Sequence, residues 1–372
     1  MRTMQRPEPH IIISGGGTGG HIFPALAIAR ALQKKLPGAK ILFIGAKGKM
    51  EMEKVPAAGF PIKGLWISGL RRDLSLSNLL FPVKVLLSLI SAIFIIRRFK
   101  ADVAVGVGGF ASGPALRAAG MLGIPTLIQE QNSFPGITNK ILAKKASRIC
   151  VAYEAMEKYF PGDKIVITGN PIRKEIIQIE GKKEEAAAFF GLEFNKKTVF
   201  IVGGSQGALS INLCIEKMLE LLKEKQVQLL WQTGKNFEQR ASESCMKTGY
   251  KAAKVVSFIQ RMDLAYALAD VVISRAGAIA IAELAAVSKP VIFIPLPTAA
   301  EDHQMKNARR LEEKGAALVI KDNEAAEKLP LLLFSLIDNE KTRTDLENKI
   351  GKFAINDADE KIANEIISLL QK

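Results

Sequence analysis

One pattern constrains this chain more than any other, and it occurs twice: a short apolar run, then clustered glycines, then helical periodicity. His10–Ser14 reads as a strand, Gly15-Gly16-Gly17-Thr18-Gly19-Gly20 follows, and a helical stretch runs from about Ile22 to Leu36 before Pro37-Gly38 stops it. The pattern restarts at Thr198–Gly204, continues through Ser205-Gln206-Gly207-Ala208 and leads into a helix to about Lys225. Each start opens an alternation. Ile41–Ile44, Val103–Val107, Thr126–Gln129 and Arg148–Val151 are strand candidates in the first half. Gln228–Gln232, Ala253–Phe258, Val271–Ser274 and Val291–Ile294 are candidates in the second, with helices at Ala278–Ala286 and Glu301–Lys314 among those between them. Strands alternating with helices predict parallel, doubly wound α/β sheets.

The 372 residues accommodate two such domains. The Gly-Asn-Pro turn in Thr168–Arg173 punctuates the chain, so the expected division is 1–168 and 169–372. The Ala-rich segment Lys182–Phe190 starts the second domain. Asp338–Lys372 reads as one or two amphipathic helices, the last free to pack back on the first domain. Sheets of this kind bind ligands beyond the carboxyl ends of their strands. Two of them predict a cleft and an enzyme with two substrates.

The glycine loops indicate what the cleft holds. Glycine permits a tight turn and close backbone approach, and a helix N-terminus offers free N–H groups to an anion. Gly15, Gly17 and Gly20 satisfy a dinucleotide-binding spacing, but that reading wants an acid at the end of the second strand. Here the strand ends Ile44-Gly45-Ala46-Lys47 and the nearest acid, Glu51, lies well past it, which disfavours an NAD(P) oxidoreductase. Gly203-Gly204-Ser205-Gln206-Gly207 and Gly106-Val107-Gly108-Gly109-Phe110 repeat the device. No Gly-Lys-Ser/Thr follows any of them, so ATP hydrolysis is unsupported. A cleft rich in phosphate or sugar contacts is the reading.

His21 directly follows the first glycines. The positive end of a helix disfavours imidazolium, which suits a proton acceptor; the alternative is a histidine that only caps the turn. Arg173 offers a fixed charge to a diphosphate, or a surface ion pair. Glu283, the carboxylate of an otherwise small and apolar helix start, suits vicinal ribose hydroxyls, or an ion pair with a neighbouring base. Glu301-Asp302-His303-Gln304, after Pro295-Leu296-Pro297, are placed to read sugar hydroxyls. No His/Cys/Asp/Glu cluster has metal-ligand spacing. Asp357-Ala358-Asp359 reads as a helix cap, and metal-independent chemistry is the working assumption.

Lys plus Arg is 52 against 37 for Asp plus Glu, a net charge of +15, so an anionic partner is expected. Aromatic residues are only 6% and no nucleic-acid-binding signature appears, which argues against nucleic acid. Three cysteines without a metal or redox spacing read as small buried hydrophobes in a reducing compartment. The N-terminus lacks the apolar region of a secretory signal. Leu79–Ile96 is almost as apolar and as long as a bilayer span of ~17–25 residues. It contains Pro82 and Lys84, however, and a span here would divide one strand–helix alternation. It is expected to be a core helix with one face resting on a membrane. Arg71, Arg72, Lys84, Arg97, Arg98 and Lys100 flank it and suit an anionic surface.

SGGGTGGHIFPALAIA, GVGGFASGP, EQNSFPG, TGNPIR, GGSQGA, SRAGA…AE and PLPTAAEDHQ…NA occur in this order over about residues 10–310. Together they closely resemble the bacterial glycosyltransferase family that makes lipid II from UDP-GlcNAc and undecaprenyl-diphospho-N-acetylmuramoyl-pentapeptide, in peptidoglycan synthesis. The resemblance implies a GT-B fold, two facing Rossmann-like domains, inversion at the anomeric centre, and no metal or other cofactor. It implies a peripheral enzyme on the cytoplasmic face of the inner membrane, with lipid I and an anionic membrane surface as partners, and it leaves room for contacts with other cell-wall synthesis proteins. By motif, it puts Thr18, Gly19 and Gly20 at the diphosphate and acceptor side, and Asn132 and Arg173 on the donor. Ser205 faces the donor phosphates and Ile259 holds the uracil through its backbone. Ala278, Ile279, Ala280, Ile281, Ala282 and Glu283 surround the nucleotide, with Glu283 on the ribose, and Gln304 reads the GlcNAc ring. Two departures are visible: Gly15 where alanine is more usual, and Ile279-Ala280 where a polar threonine is usual. His21 is the expected base and Arg173 the expected stabiliser of departing diphosphate, with Asp302 and His303 as rival bases. A diacylglycerol glycosyltransferase of the same fold is the competing enzyme; GGTGGH and EQN favour the muramoyl acceptor.

Overall fold

The computed structural model describes residues 8–69, 80–204 and 206–371. Ser205, Arg71, Arg72 and the Leu79 start of the apolar stretch therefore lie outside the described residues. The chain forms two compact units, Met1–Ile172 with Asp357–Lys372, and Arg173–Asn356. Gly169–Ile172 and the last helix thus go with the first unit.

In the first unit, β1 (His10–Ser14), β2 (Lys40–Ala46), β3 (Ile62–Leu65), β4 (Val103–Gly106), β5 (Thr126–Glu130), β6 (Arg148–Val151) and β7 (Ile165–Ile167) form one sheet. Its order is β3-β2-β1-β4-β5-β6-β7 and every pairing is parallel. Its helices are α1 (Gly19–Lys35), α2 (Glu51–Ala57), α3 (Phe81–Phe99), α4 (Ser112–Met121) and α5 (Ile137–Ala143), joined by the C-terminal α16 (Ala358–Leu370). Both faces of the sheet are covered, which is why Ile11-Ile12-Ile13 is continuously apolar. Ile11 and Ile13 pack under α1 and α16, among Ile22, Ile28, Ile362 and Ile366. Ile12 points the other way, toward Ala92 and Ile96 of α3 and Ala115 of α4.

The second unit contains α6 (Lys174–Ile177), α7 (Lys183–Phe190), α8 (Leu209–Lys217), α9 (Leu219–Glu224), α10 (Glu238–Lys247), α11 (Met262–Leu268), α12 (Ala278–Ala286), α13 (His303–Glu312), α14 (Ala325–Asp338) and α15 (Glu340–Gly351). Its strands are β8 (Thr198–Val202), β9 (Gln228–Gln232), β10 (Ala253–Val256), β11 (Val271–Ser274), β12 (Val291–Phe293) and β13 (Leu318–Val319). They pair in parallel in the order β10-β9-β8-β11-β12-β13. Val199 and Ile201 enter one core and Phe200 the other, as in β1.

Several boundaries differ from the sequence reading, three of them in helices beside the glycine loops and the 301–304 segment. The first helix begins at Gly19, not Ile22, so the last two glycines are its first turn. The helix after β8 breaks at Met218 into α8 and α9. The helix expected from Glu301 begins at His303, because Glu301 and Asp302 both take left-handed backbone, φ 54° each.

Among the described residues no helix is long and apolar enough to cross a membrane. Only Ser88, Ala92 and Ile96 of α3 are fully buried, a stripe at four-residue spacing. Val83, Leu86, Leu87, Ile90 and Phe94 form an exposed apolar stripe on the same helix. The three cysteines are free and buried, as expected; burial pushes the Cys214 and Cys245 thiols up to about 11.

Candidate functional site

In each sheet the chain order reverses once, between β1 and β4 and between β8 and β11. Such a switch point opens a crevice at the carboxyl ends of the strands. The glycine motifs after β1, β4, β8 and β11 all sit at these positions.

At the first switch point two glycine loops touch through their main chains. Gly109 has φ +86°, and a Cβ there would lie 2.2 Å from the Gly16 carbonyl oxygen. Ser112 Oγ donates to the carbonyls of both Ser14 and Gly108, at 2.8 and 2.9 Å, and ties the loops together. His21 lies over this junction. Its Nδ1 is 3.2 Å from the Gly16 carbonyl and 3.3 Å from Thr18 Oγ1. A carbonyl only accepts, so Nδ1 carries a hydrogen, and in the neutral ring the lone pair is on Nε2. A Cβ on Gly108 (φ +93°) would lie 2.8 Å from that Nε2. Glycine is therefore required beneath the imidazole both for the backbone angle and for space.

Glu51 braces the first loop from within. It is fully buried, and its carboxylate accepts from Gly17 N at 2.8 Å and Ala46 N at 2.9 Å. The acid too far along the sequence to meet a ribose has folded back under the glycines. A second buried acid, Glu130, accepts four hydrogen bonds: from Asn132 N and Nδ2, Gly136 N and Asn139 Nδ2. Burial pushes its carboxyl above the ordinary value, and these donors pull it back. They fix the loop that presents Asn132. Gln131 donates to the Val107 carbonyl at 2.7 Å, and Asn170 to the Gln131 carbonyl at 3.0 Å, so EQN and GNP are wired to one another.

At the second switch point the loop after β8 crosses the end of β9 main chain to main chain. A Cβ on Gly207 (φ +76°) would lie 1.9 Å from the Thr233 carbonyl oxygen. Glu283, in α12, is nearly buried. Its Oε1 is 3.7 Å from an Arg173 guanidinium nitrogen, and its Oε2 accepts from Tyr266 Oη at 3.2 Å. Burial raises the Glu283 carboxyl above the ordinary range, while Arg173 and then the Tyr266 hydroxyl oppose the shift. Arg173 and Glu283, predicted separately, are one pair.

Ala278–Ala282 form the first turns of α12, whose N-cap is Gly277. Ile259 is buried in the turn between β10 and α11. That turn is held at one end by Ser257 N donating to Glu238 Oε1 at 2.8 Å. At the other end Arg261 donates to both carboxylate oxygens of Asp263, at 2.9 and 2.8 Å. The Arg261 guanidinium, aided by Lys182, holds the Asp263 carboxyl well below the usual range. Gln304, in the first turn of α13, accepts from Leu296 N through Oε1 at 2.9 Å, which assigns its amide NH2 as a donor. Among the described residues no group of three or more His, Cys, Asp or Glu is placed to hold a metal ion.

The structure thus brings Thr18, Gly19, Gly20 and His21 together at the first switch point. It brings Arg173, Glu283 and the start of α12 together at the second. Sequence reasoning missed Glu51, Gly108, Glu130 and Tyr266 as supports. Glu130 and Gly108 carried a signal, their places in the EQN and GVGGF motifs; Glu51 and Tyr266 depend on which loops the sheet makes neighbours.

The model of the glycosyltransferase family 28 N-terminal domain matches residues 11–151, and that of the family 28 C-terminal domain matches residues 198–362. The chain is 51% identical over 361 residues to a protein of Flavobacterium psychrophilum, covering 97% of each. It is 52% identical over 368 residues to one of Cytophaga hutchinsonii, covering 99% of each. Both bear the name UDP-N-acetylglucosamine–N-acetylmuramyl-(pentapeptide) pyrophosphoryl-undecaprenol N-acetylglucosamine transferase. Among solved structures, MurG of Acinetobacter baumannii matches with TM-score 0.78 and 29% identity over 97% of this chain and 99% of that one. A UDP-GlcNAc 2-epimerase of Neisseria meningitidis matches with TM-score 0.68 over 97% of this chain and 100% of that one; at 15% identity it shares the fold alone.

Proposed function

The chain is a member of glycosyltransferase family 28, and from that membership we propose that it moves GlcNAc from UDP-GlcNAc to the 4-hydroxyl of N-acetylmuramic acid in undecaprenyl-diphospho-N-acetylmuramoyl-pentapeptide. The observation that carries this reading is identity of about half, over nearly the whole length, with relatives named for that reaction. The fold is GT-B, as the sequence motifs implied.

The mechanism assigns each reacting atom a partner. The muramoyl hydroxyl attacks C1 of GlcNAc from the side opposite the UDP. Its proton passes to Nε2 of neutral His21, whose Nδ1 hydrogen is turned toward the Gly16 carbonyl. The C1–O bond breaks with its electron pair going to the β-phosphate of UDP. Arg173 and the backbone N–H groups at the glycine loop of the second unit stabilise that charge. A positioned general base contributes ~10²–10⁴-fold. Loss of one donor to a developing oxyanion costs about 3–4 kcal/mol. Glu283 accepts from the ribose hydroxyls, Asn132 and Gln304 orient the sugar, Ile259 holds the uracil, and Ser205 meets the phosphates. The working arrangement needs no metal or cofactor.

The exposed stripe of α3, followed by Arg97, Arg98 and Lys100, supports a peripheral attachment to the anionic cytoplasmic face of the inner membrane. Binding to phosphatidylglycerol vesicles that weakens with salt is expected. Retention after an alkaline wash would overturn a peripheral attachment.

The decisive assay is transfer of radiolabelled GlcNAc to a short-chain lipid I analogue with EDTA present. Product establishes donor, acceptor and metal independence together. UDP-GlcNAc binding without transfer to this acceptor would overturn the acceptor assignment.

A further inference from the structure

The first unit holds a cavity of about 510 Å³ between α3, α4 and α5, a volume typical of small-ligand sites, ~300–1,000 Å³. Its walls include Val85 and Leu89 of α3, Leu116 of α4, and Ile141 and Leu142 of α5. A polar ligand placed there would leave most of its hydrogen bonds unmade, whereas a branched hydrocarbon would give up none. Two cations, Arg117 and Lys145, are also part of the lining.

The cavity lies next to the site. Phe110, from the glycine loop after β4, lines it, and the same ring comes within 3.9 Å of where a Cβ on Gly17 would stand. Gly17 belongs to the loop that starts α1. One side of Phe110 therefore meets the anion-binding loop and another meets the hydrocarbon-lined space. The exposed stripe Leu86, Leu87, Ile90 and Phe94 does not line the cavity; α3 presents that stripe on a different face from Val85 and Leu89.

We propose that this cavity takes the first isoprenoid units of the acceptor's polyprenyl chain, while the attached diphosphate lies against the Gly15–Gly20 loop. The proposal rests on the acceptor assigned above. It separates two apolar jobs of one helix: the outer stripe of α3 meets the membrane, and the inner face holds the chain of the bound substrate.

Gly120 makes a clean test. It lines the cavity, and a Cβ there would meet no atom within 4 Å, so the side chain of Gly120→Leu starts in open space at the cavity wall. Farnesyl diphosphate and inorganic diphosphate are titrated calorimetrically into the full chain without detergent. Farnesyl diphosphate is expected to bind at least about tenfold tighter, an increment of about 1.4 kcal/mol. Gly120→Leu should remove that increment and leave inorganic diphosphate binding, the melting temperature and vesicle binding unchanged. Leu86→Gln with Ile90→Gln should do the reverse, weakening vesicle binding only. Equal affinity for the two diphosphates, or an increment that survives Gly120→Leu, overturns the proposal. Displacement of farnesyl diphosphate by dihexanoyl-phosphatidylglycerol with equal affinity also overturns it, in favour of a membrane-lipid site. A Gly120→Leu-sensitive increment in a protein that transfers no GlcNAc to lipid I would sustain the cavity and overturn the acceptor. Normal transfer with the increment absent would overturn the cavity alone.

Discussion

Glu51 and Glu283 are both nearly buried carboxylates beside the switch point of a sheet, and they are held in opposite ways. Glu51 is gripped by main chain, through Gly17 N and Ala46 N. Among the described residues, Glu283 is held by side chains, Arg173 and Tyr266. Main-chain donors cannot leave without unmaking the loop, so Glu51 fixes where the glycines and His21 stand. Side-chain partners can rotate and trade an internal contact for a ligand hydroxyl. The first unit's glycine loop is therefore set in backbone. In the second unit the charged groups around Glu283 can regroup.

Substitutions test that contrast, the largest effect first. His21→Ala should lower kcat by ~10²–10⁴-fold while UDP binding is unchanged. Gly108→Ala should imitate it, because the new Cβ meets the imidazole; steady-state kinetics with a calorimetric UDP titration separates the two terms. If Gly108→Ala turns over normally, the imidazole is not held where it acts.

Glu51→Ala orphans the buried Ala46 N–H, at about 1–3 kcal/mol, and the half-buried Gly17 N–H at less. It should lower both the melting temperature and kcat. Glu283→Ala should show the reverse balance. Stability falls by less, because among buried donors the Tyr266 hydroxyl loses its acceptor while Arg173 stays partly exposed, and donor affinity falls about tenfold, or about 1.4 kcal/mol. A Glu283→Ala protein with unaltered UDP-GlcNAc affinity would end the contrast.

Acid stability gives the smallest and most diagnostic effect. Asp263 is depressed when folded, so its stabilisation is complete above the unfolded value of about 3.9 and is lost as pH falls below it. Glu283 is raised, so its contribution is complete below about 4.3 and declines as pH rises through its folded value. Asp263→Asn should flatten the acid limb of a melting-temperature profile. Glu283→Gln should remove a decline on the other side. Profiles unchanged by either substitution would show that neither environment survives in solution.

The sequence alone determined the central strands of both sheets, three glycine loops at their ends and the family of the catalyst. These are local properties: a strand covered on both faces must be continuously apolar, and a tight turn before a helix needs glycine. The strands it missed, β3, β7 and β13, are all at sheet edges and only two to four residues long, too short for a periodic signal. Tertiary structure alone decided what those loops rest upon. Glu51 lies 34 residues from Gly17 and Tyr266 lies 17 from Glu283, yet hydrogen bonds join each pair. Gly108 is needed where it is because His21, far away in sequence, swings its ring over that loop. Residue types at a motif report which chemistry is available. Which main-chain donors and which side chains hold that chemistry in place depends on strand order, because strand order decides which loops become neighbours.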